Sequence, residues 1–352
     1  MTARQNTLPK DFEELILEGD ISKLKAVFEK CDANAVDGYS KGNALCFRGI
    51  STEFIRWLVE QGTEVNQLDH SGCPPVYYQA QDENSNLDFL LELGADIDIR
   101  DHFNCTPLFH AAMNHNVPAV LALVRRGASV NIKDHYQNMT PLDCSLSTCA
   151  NLHIPRMAAI ADILLSAGAS TTPETKEKVQ KIGRTFEFYR PGFNREFLPQ
   201  TEEALVHLYQ LFNVDPVPQR KLYDGTSPIM VKSTTWQKQF NELWDLLVPG
   251  SGSASTLQGE VIRIAGKLSY EILENGGANW DNEYKKLSLA LADYLNKGNQ
   301  LESHLKKEAR NLAKGIARKS DENSLDRLCE LIVQWVLINP TPIALSKVAY
   351  KR

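Results

Sequence analysis

Three charged residues in the C-terminal half are of the types that carry out general acid–base chemistry. Glu260 and Arg263 lie three residues apart in an amphipathic segment, LQGEVIRIAGKLSYEILENGGANWD (257–281), which ends at Asp281. Carboxylates beside a cation can move protons to and from a substrate. Residues at this spacing also form ion pairs on helix surfaces, which contribute little to stability. The sequence therefore leaves an enzyme acting around these three residues as an alternative and favours a protein without catalysis.

Other chemical motifs are missing from the sequence. It has no Ser-His-Asp, HExxH or Cys-His pattern, and the segment GSGSAST (250–256) lacks the Lys of a phosphate-binding loop. The seven cysteines are an odd number without a CxxC pair, which argues against both disulfides and a zinc site. We therefore expect buried, reduced thiols, no metal site and no cofactor.

Composition and charge limit the class of protein further. The chain has 352 residues, 43% hydrophobic and 23% charged, which is typical of a soluble protein. This length allows two domains, or one long solenoid with a capping domain. No apolar stretch approaches the roughly 20 residues that span a bilayer, and the N-terminus does not resemble a secretory signal, so we expect a cytoplasmic protein. Residues 1–173 carry 13 Lys and Arg against 22 Asp and Glu. This acidic half argues against nucleic acid as its partner.

Four segments of the N-terminal half end in the same way, with two apolar residues followed shortly by a glycine. The glycines are Gly62, Gly94, Gly127 and Gly168, at steps of 32, 33 and 41 residues. A glycine here can adopt the left-handed conformation that ends a helix. The spacing predicts repeated helical units of about 33 residues, the last with an insertion of about eight.

The start of each unit also has a recognisable pattern. Thr106-Pro107 and Thr140-Pro141 place a capping hydroxyl before a proline at the first helical position. Asn43 occupies the capping position in an earlier unit, while Pro74 replaces the threonine in the next.

The Thr-Pro-Leu sequences at 106–108 and 140–142, with this period, resemble the ankyrin repeat family. The resemblance implies an all-α fold in which an ankyrin-repeat solenoid at 8–172 is followed by a C-terminal helical domain. About five repeats are expected, the first a cap. Phe109 and His110 reverse the family's usual His-then-apolar order, which predicts an incomplete hydrogen-bond network there.

By the same resemblance, the repeats are an adaptor that binds a protein target on the concave face of the stack. The partner-reading positions lie in the hairpin tips and at the ends of the first helices. They are His70, Ser71, Cys73, Gln81, Asp82, His102, Phe103, Cys105, Met113, Asn114, His135 and Tyr136. Asn66 and Asn131 occupy positions that are hydroxylated in some ankyrin proteins of animal cells, although asparagine is also common there for structural reasons.

A histidine follows the hairpin aspartate three times, at His70, His102 and His135. Successive repeats lie roughly 8–10 Å apart, too far for the three imidazoles to share one metal ion. A pH-sensitive contact surface and a position that tolerates any polar residue both remain open. The neighbouring Phe103 and Tyr136 favour a contact surface, because aromatic residues are typical binding anchors.

The C-terminal half lacks the period. We expect a connector at 173–199 and a helical domain at 200–345, with helices near 235–248, 256–274, 280–296, 301–318 and 322–338. Lys306, Arg310, Lys314 and Arg318 recur every four residues and could dock on a second partner or an anionic surface, or form the outer face of a bundle. Residues 257–281 resemble a segment of uncharacterised bacterial proteins. That resemblance implies a bacterial effector acting in host cytosol.

Overall fold

The computed structural model describes residues 4–83, 86–316 and 322–351, and these residues contain sixteen α-helices. The prediction of a mostly helical fold is therefore confirmed. Two compact units are present. The first comprises the residues up to Thr185 together with Asn194–Val217, and the second comprises Phe186–Phe193 and the residues from Pro218 onward.

The first unit is built from antiparallel helix pairs. Its helices are α1 (Phe12–Glu18), α2 (Ile21–Lys30), α3 (Thr52–Glu60), α4 (Pro75–Gln81), α5 (Leu87–Glu92), α6 (Pro107–Met113), α7 (Val117–Arg125), α8 (Pro141–Ser147), α9 (Ile154–Ser166), α10 (Pro173–Tyr189) and α11 (Leu198–Phe212). The last four residues of α10 belong to the second unit. Short 3₁₀ helices occupy Ala44–Cys46 and Asn151–His153, and a third, Arg190–Gly192, belongs to the second unit. The first helices of successive pairs pack side by side, α4 on α6 and α6 on α8, and so do the second helices α5, α7 and α9.

The repeated glycines end the second helices as the sequence predicts. Gly62, Gly94, Gly127 and Gly168 all have φ between 88° and 96°. The amide that follows each glycine donates to the carbonyl five residues earlier, as Thr63 does to Leu58 at 3.0 Å. A residue with a side chain would be strained at this φ, which explains the period of glycines.

The helix starts follow the predicted capping residues. The Thr106 and Thr140 hydroxyls accept from the amides of Phe109 and Asp143 at 3.2 and 3.1 Å. Asn43 caps the 3₁₀ helix that stands in for a first helix, whereas Pro74 provides no side-chain cap. These bonds satisfy amides that a helix start otherwise leaves without a partner.

A sixth helix pair follows the region in which the sequence predicts repeats. Thr172-Pro173 lies 32 residues after Thr140-Pro141, and the Thr172 hydroxyl accepts from the Thr175 amide at 3.2 Å. Helix α11 packs on α9, so the row of second helices continues. The first unit thus includes residues that the sequence analysis divides between a connector at 173–199 and a domain beginning at 200. The Thr-Pro pair at 172–173 is the sequence signal that could have predicted this sixth helix pair.

The other end of the first unit departs from a purely helical fold. Strand β1 (Gln5–Thr7) pairs in parallel with β2 (Cys31–Val36), which directly follows α2. The Asn34 side chain in β2 donates to the carbonyl of Gly62, 3.1 Å away. The first repeat lacks the hairpin sequence, but this bond joins it to the second repeat.

The second unit is a helical bundle arranged around its most apolar helix. Its helices are α12 (Trp236–Leu247), α13 (Leu257–Leu273), α14 (Asn282–Tyr294), α15 (Ser303–Gly315) and α16 (Glu322–Leu337). Helix α13 packs on α12, α14 and α16. The predicted apolar stripe of α13 is buried, including Val261, Ile264 and Leu268. Gly266 permits the close packing of α12, because a Cβ there would lie 2.1 Å from the Trp244 ring.

Candidate partner-binding groove

Each hairpin tip of the first unit is folded around an aspartate. The Asp101 Oδ1 atom accepts from the backbone amides of Phe103 and Cys105 at 2.9 and 2.8 Å. Asp69 and Asp134 accept from their own hairpins in the same manner. These bonds fix the tips and therefore the direction in which the tip side chains project.

Aromatic side chains project from three of these tips. Phe103 and Tyr136 are 61% and 83% exposed, and Tyr39 is 92% exposed. Each lies two residues after the aspartate of its own hairpin. Sequence reasoning selected Phe103 and Tyr136 but missed Tyr39, although Asp37 two residues before it gives the same signal.

A cavity of about 500 Å³ lies between the hairpin tips and the first helices. We call this cavity, together with its walls, the groove. It is lined by Ser71, Cys73, Tyr77, Asp101, Phe103, Cys105, Phe109, His110, Met113, Asp134 and Tyr136. Six of the predicted partner-reading residues therefore share one surface, while His110, Phe109 and Tyr77 were not selected.

Three of the remaining predicted positions lie near the C-terminal ends of the first helices. Gln81 and Asp82 are half-buried at the end of α4. Asn114 is exposed at the end of α6, and its side-chain amide donates to the carbonyl of His110 at 2.9 Å. They do not line the groove.

The three repeated histidines lie on exposed tips and join neighbouring hairpins. The His70 Nδ1 atom lies 2.6 Å from the Ser40 carbonyl oxygen. The His102 ring covers Gly72, where a Cβ would come within 2.4 Å of the ring. A pH-sensitive contact surface and a position that tolerates any polar residue both stay predictions. His135 is exposed beside Tyr136.

The two cysteines among the predicted contacts are buried in the wall of the groove. Cys73 and Cys105 are 6% and 8% exposed. Burial is the main cause that raises the pKa of each thiol to about 12. The next causes are the charges of Asp69 and Asp101 for Cys73, and those of Asp101 and Asp134 for Cys105. Both are therefore protonated near neutral pH, and neither is a reactive surface thiol.

His110 forms a hydrogen bond with the aspartate of its own hairpin. Its Nε2 atom lies 3.0 Å from the Asp101 Oδ2 atom. Burial alone would raise the pKa of Asp101, but bonds from His110 and from the Cys105 amide hold it below its usual value. The His110 Nδ1 atom is buried and has no hydrogen-bond partner among the described residues. The reversed Phe109-His110 order thus places the imidazole against the hairpin carboxylate.

Asn66 and Asn131 hold successive repeats together. Their side-chain amides donate to the carbonyls of Gly94 and Gly168, each at 3.0 Å. Each amide oxygen accepts from the backbone amide two residues after that glycine. These bonds account for asparagine at both positions, and hydroxylation stays a prediction.

In the second unit, Glu260 and Arg263 are buried against each other. Their exposed fractions are 0% and 2%, and two bonds of 2.8 and 2.6 Å join them. Tyr350 donates to Glu260 at 2.6 Å. Burial would raise the pKa of Glu260, but hydrogen bonds from Arg263 and Tyr350 lower it. The prediction of a solvated ion pair is therefore wrong, because both side chains are buried. The pair also contacts Tyr350, which lies in a distant segment of the chain.

The third residue of the alternative enzyme site caps a helix. The Asp281 Oδ1 atom accepts from the amides of Glu283 and Tyr284 at 2.9 and 3.1 Å. This is the usual bonding of a helix-capping aspartate at the start of α14. Structural roles therefore account for Glu260, Arg263 and Asp281, and catalysis around them stays a prediction.

The basic residues of α15 are only partly free to meet a partner. Lys306 donates to the Gln300 side chain at 2.8 Å, while Lys314 is exposed. Arg310 is half-buried, and Arg318 lies outside the described residues. The neighbouring Ala309 and Ala313 are fully buried. Docking of this face on an anionic surface stays a prediction.

The repeats of the first unit agree with a comparison against known families. A family model described as ankyrin repeats (3 copies) matches residues 43–134 and 80–174. No curated protein matches the chain. Within the described ranges, no helix is both long and apolar enough to cross a membrane. The N-terminal region therefore contains ankyrin repeats, a non-catalytic fold that serves as a protein–protein interaction module.

Proposed function

We propose that this protein is an adaptor whose ankyrin repeats bind a segment of a target protein in the groove, with Phe103 and Tyr136 as the anchors. The supporting observation is that both rings line the same cavity yet are 61% and 83% exposed. Large exposed apolar side chains beside a cavity are typical of interaction sites.

The chemistry of the groove favours an apolar side chain of the partner as the central contact. Phe109 and Met113 are among its apolar lining residues. A methionine can adapt its side chain to the shape of a bound group. The carboxylate of Asp101 already accepts bonds from its own hairpin and from His110, so it does not require a donor from the partner.

The binding test uses a photo-crosslinking residue in place of Phe103 to identify the target, followed by titration of the purified target. Phe103→Ala combined with Tyr136→Ala is expected to weaken binding by at least about 2 kcal/mol, roughly thirtyfold, because anchor residues carry most of an interface's energy. Leu17→Ala and Leu152→Ala are matched controls, since both leucines are exposed at 78% and 65% outside the groove. Equal effects of the groove and control variants would contradict the proposal.

We also propose that the protein works in a reducing compartment, either the cytoplasm of its own cell or that of a host cell into which it is delivered as an effector. The support is that all seven cysteines are free thiols and six of them are buried. Disulfides are rare in such compartments. The test fuses the protein to a reporter that is modified only in host cytosol. Modification of the reporter would show delivery into the host cell, and an unmodified reporter would show that the protein stays in its own cell.

A further inference from the structure

Three residues that ligate metal ions in proteins meet in the wall of the groove. Asp101, Cys105 and His110 each offer a ligand atom, and the three atoms lie within 4.8 Å of one another. All three side chains are buried. They also line the cavity of about 500 Å³, which provides an entry path and room for a further ligand.

We propose that Asp101, Cys105 and His110 bind one zinc ion, with a water molecule from the groove as the fourth ligand. Zinc accepts sulfur, nitrogen and carboxylate ligands together in a tetrahedral site, and sites with three protein ligands leave one position open. A thiolate and a carboxylate neutralise the two positive charges of the ion. The filled site is therefore electrically neutral, which lowers the cost of burying the ion.

The present geometry is close to that of such a site. Ligands at about 2.0–2.3 Å from a tetrahedral ion lie roughly 3.3–3.8 Å from one another. Asp101 and His110 already approach to 3.0 Å. The Cys105 sulfur lies within 4.8 Å of both atoms, so it must come at most about 1 Å nearer to reach ligand spacing. The backbone amides of Phe103 and Cys105 hold Asp101 through Oδ1, so Oδ2 can face the ion.

The preceding repeat provides an internal comparison. Asp69, Cys73 and Tyr78 occupy the same positions 32 residues earlier, and the Tyr78 hydroxyl donates to the Asp69 carboxylate at 2.5 Å. A hydrogen-bond donor at this position is thus enough to secure the hairpin. His110 meets that need through Nε2 and also has a buried nitrogen, Nδ1, with no hydrogen-bond partner among the described residues.

Binding requires the loss of one proton. Burial, then the charges of Asp101 and Asp134, raise the pKa of Cys105 to about 12, so the metal-free thiol is protonated. Zinc displaces this thiol proton to solvent as the Zn–S bond forms. It also replaces the hydrogen bond between His110 and Asp101. The imidazole proton then moves from Nε2 to Nδ1, so that Nε2 can bind the ion. The affinity for zinc is therefore expected to rise with pH.

The test uses the full chain, reduced and freed of metal with a chelator. Cobalt(II) is titrated first, because a thiolate ligand produces a sulfur-to-cobalt charge-transfer band, and zinc then displaces the cobalt to give stoichiometry and affinity. We expect one ion per chain. Cys105→Ser and His110→Tyr are expected to lose more than about 100-fold in affinity, since each removes a direct ligand.

The variants distinguish zinc binding at the proposed site from zinc binding by the other cysteines and histidines of the chain. His110→Tyr introduces the residue that the preceding repeat carries, so the hydrogen bond to Asp101 and the fold are expected to survive, as checked by circular dichroism. Cys329→Ser is the matched control and is expected to leave the affinity unchanged, because this cysteine is also buried but does not line the groove. Absence of a saturable site, or binding that survives both ligand variants or falls equally with Cys329→Ser, would overturn the proposal.

Discussion

The Asn66 side-chain amide donates to the Gly94 carbonyl oxygen at 3.0 Å, and so joins the hairpin of one repeat to the helix end of the next. Its oxygen accepts from the Asp96 amide at 2.9 Å. Asn34 makes the equivalent pair of bonds one repeat earlier. Since repeats are stabilised chiefly through contacts with their neighbours, this contact couples their folding.

Loss of the Asn66 side chain should therefore weaken the whole stack. Asn66→Ala is expected to lower the free energy of unfolding by about 1–2 kcal/mol, because it removes two partly exposed hydrogen bonds. Urea denaturation followed by circular dichroism measures the change. Asn66→Asp is the matched control. It keeps the acceptor and loses only the donor, so its cost should be smaller, and a cost equal to that of the alanine variant would contradict this account.

Acid should destabilise the first unit through His115. Burial and then the nearby His153 lower the pKa of His115 to about 4, so the folded protein holds it neutral. The unfolded chain takes up this proton near pH 6.5. Between these values the unfolded state binds more protons, and stability falls as pH falls, by up to about 2 kcal/mol between pH 7 and pH 5.

Urea denaturation at pH 7 and pH 5 tests this sign. His115→Asn should flatten the dependence, because asparagine does not titrate and tolerates the residue's φ of 53°. His135→Asn, at an exposed hairpin, serves as the control and should retain the wild-type difference between the two pH values. A steep dependence that persists in His115→Asn would assign the acid sensitivity to other groups.

The repeat architecture could be predicted because its determinants are local in sequence. Gly94 ends a helix through its own backbone conformation, and Thr106 caps a helix three residues away. Both signals recur with the period and need no knowledge of distant contacts. The same reasoning could have extended the stack through Thr172-Pro173.

Contacts between distant residues could not be predicted in this way. The spacing of Glu260 and Arg263 predicts an ion pair on either an exposed or a buried helix face, and the difference depends on Tyr350, 90 residues later. Leu205, Leu208 and Phe212 recur at helical spacing in α11, which indicates that one face is buried but not that this face packs on α9. His110 meets Asp101 across a turn whose geometry depends on the fold of the hairpin.

The capping bonds of α8 should contribute more than those of α6. Thr140 and Asp143 cap each other reciprocally, and Asp143 also accepts from Thr175 and Lys178 of α10 at 3.1 and 3.2 Å. Thr140→Ala is expected to cost about 1–2 kcal/mol, towards the upper end of the range for helix caps. Thr106→Ala, which removes a single cap, should cost about 1 kcal/mol. Thermal or urea denaturation measures the loss of stability in each variant. A larger loss in Thr106→Ala than in Thr140→Ala would contradict this prediction.

The second unit should depend strongly on the Glu260–Arg263 pair. Glu260→Gln removes the charge with little change in shape and leaves the Arg263 guanidinium buried without its counter-ion. This change is expected to cost about 3–5 kcal/mol. Four of the five tryptophans lie in this unit, so tryptophan fluorescence during urea denaturation reports mainly on its unfolding.

A double variant distinguishes the ion pair from simple loss of packing. Glu260→Leu with Arg263→Met replaces both charges by apolar groups, so it should be less destabilised than Glu260→Gln alone. The pH dependence has a definite sign. Because the fold lowers the pKa of Glu260, the pair's contribution is present above the unfolded value near 4.5 and is lost as pH falls through the folded pKa. If the double variant is destabilised more than Glu260→Gln, tyrosine and backbone contacts to Glu260 outweigh the charge pair, and the buried salt bridge is not what holds this bundle together.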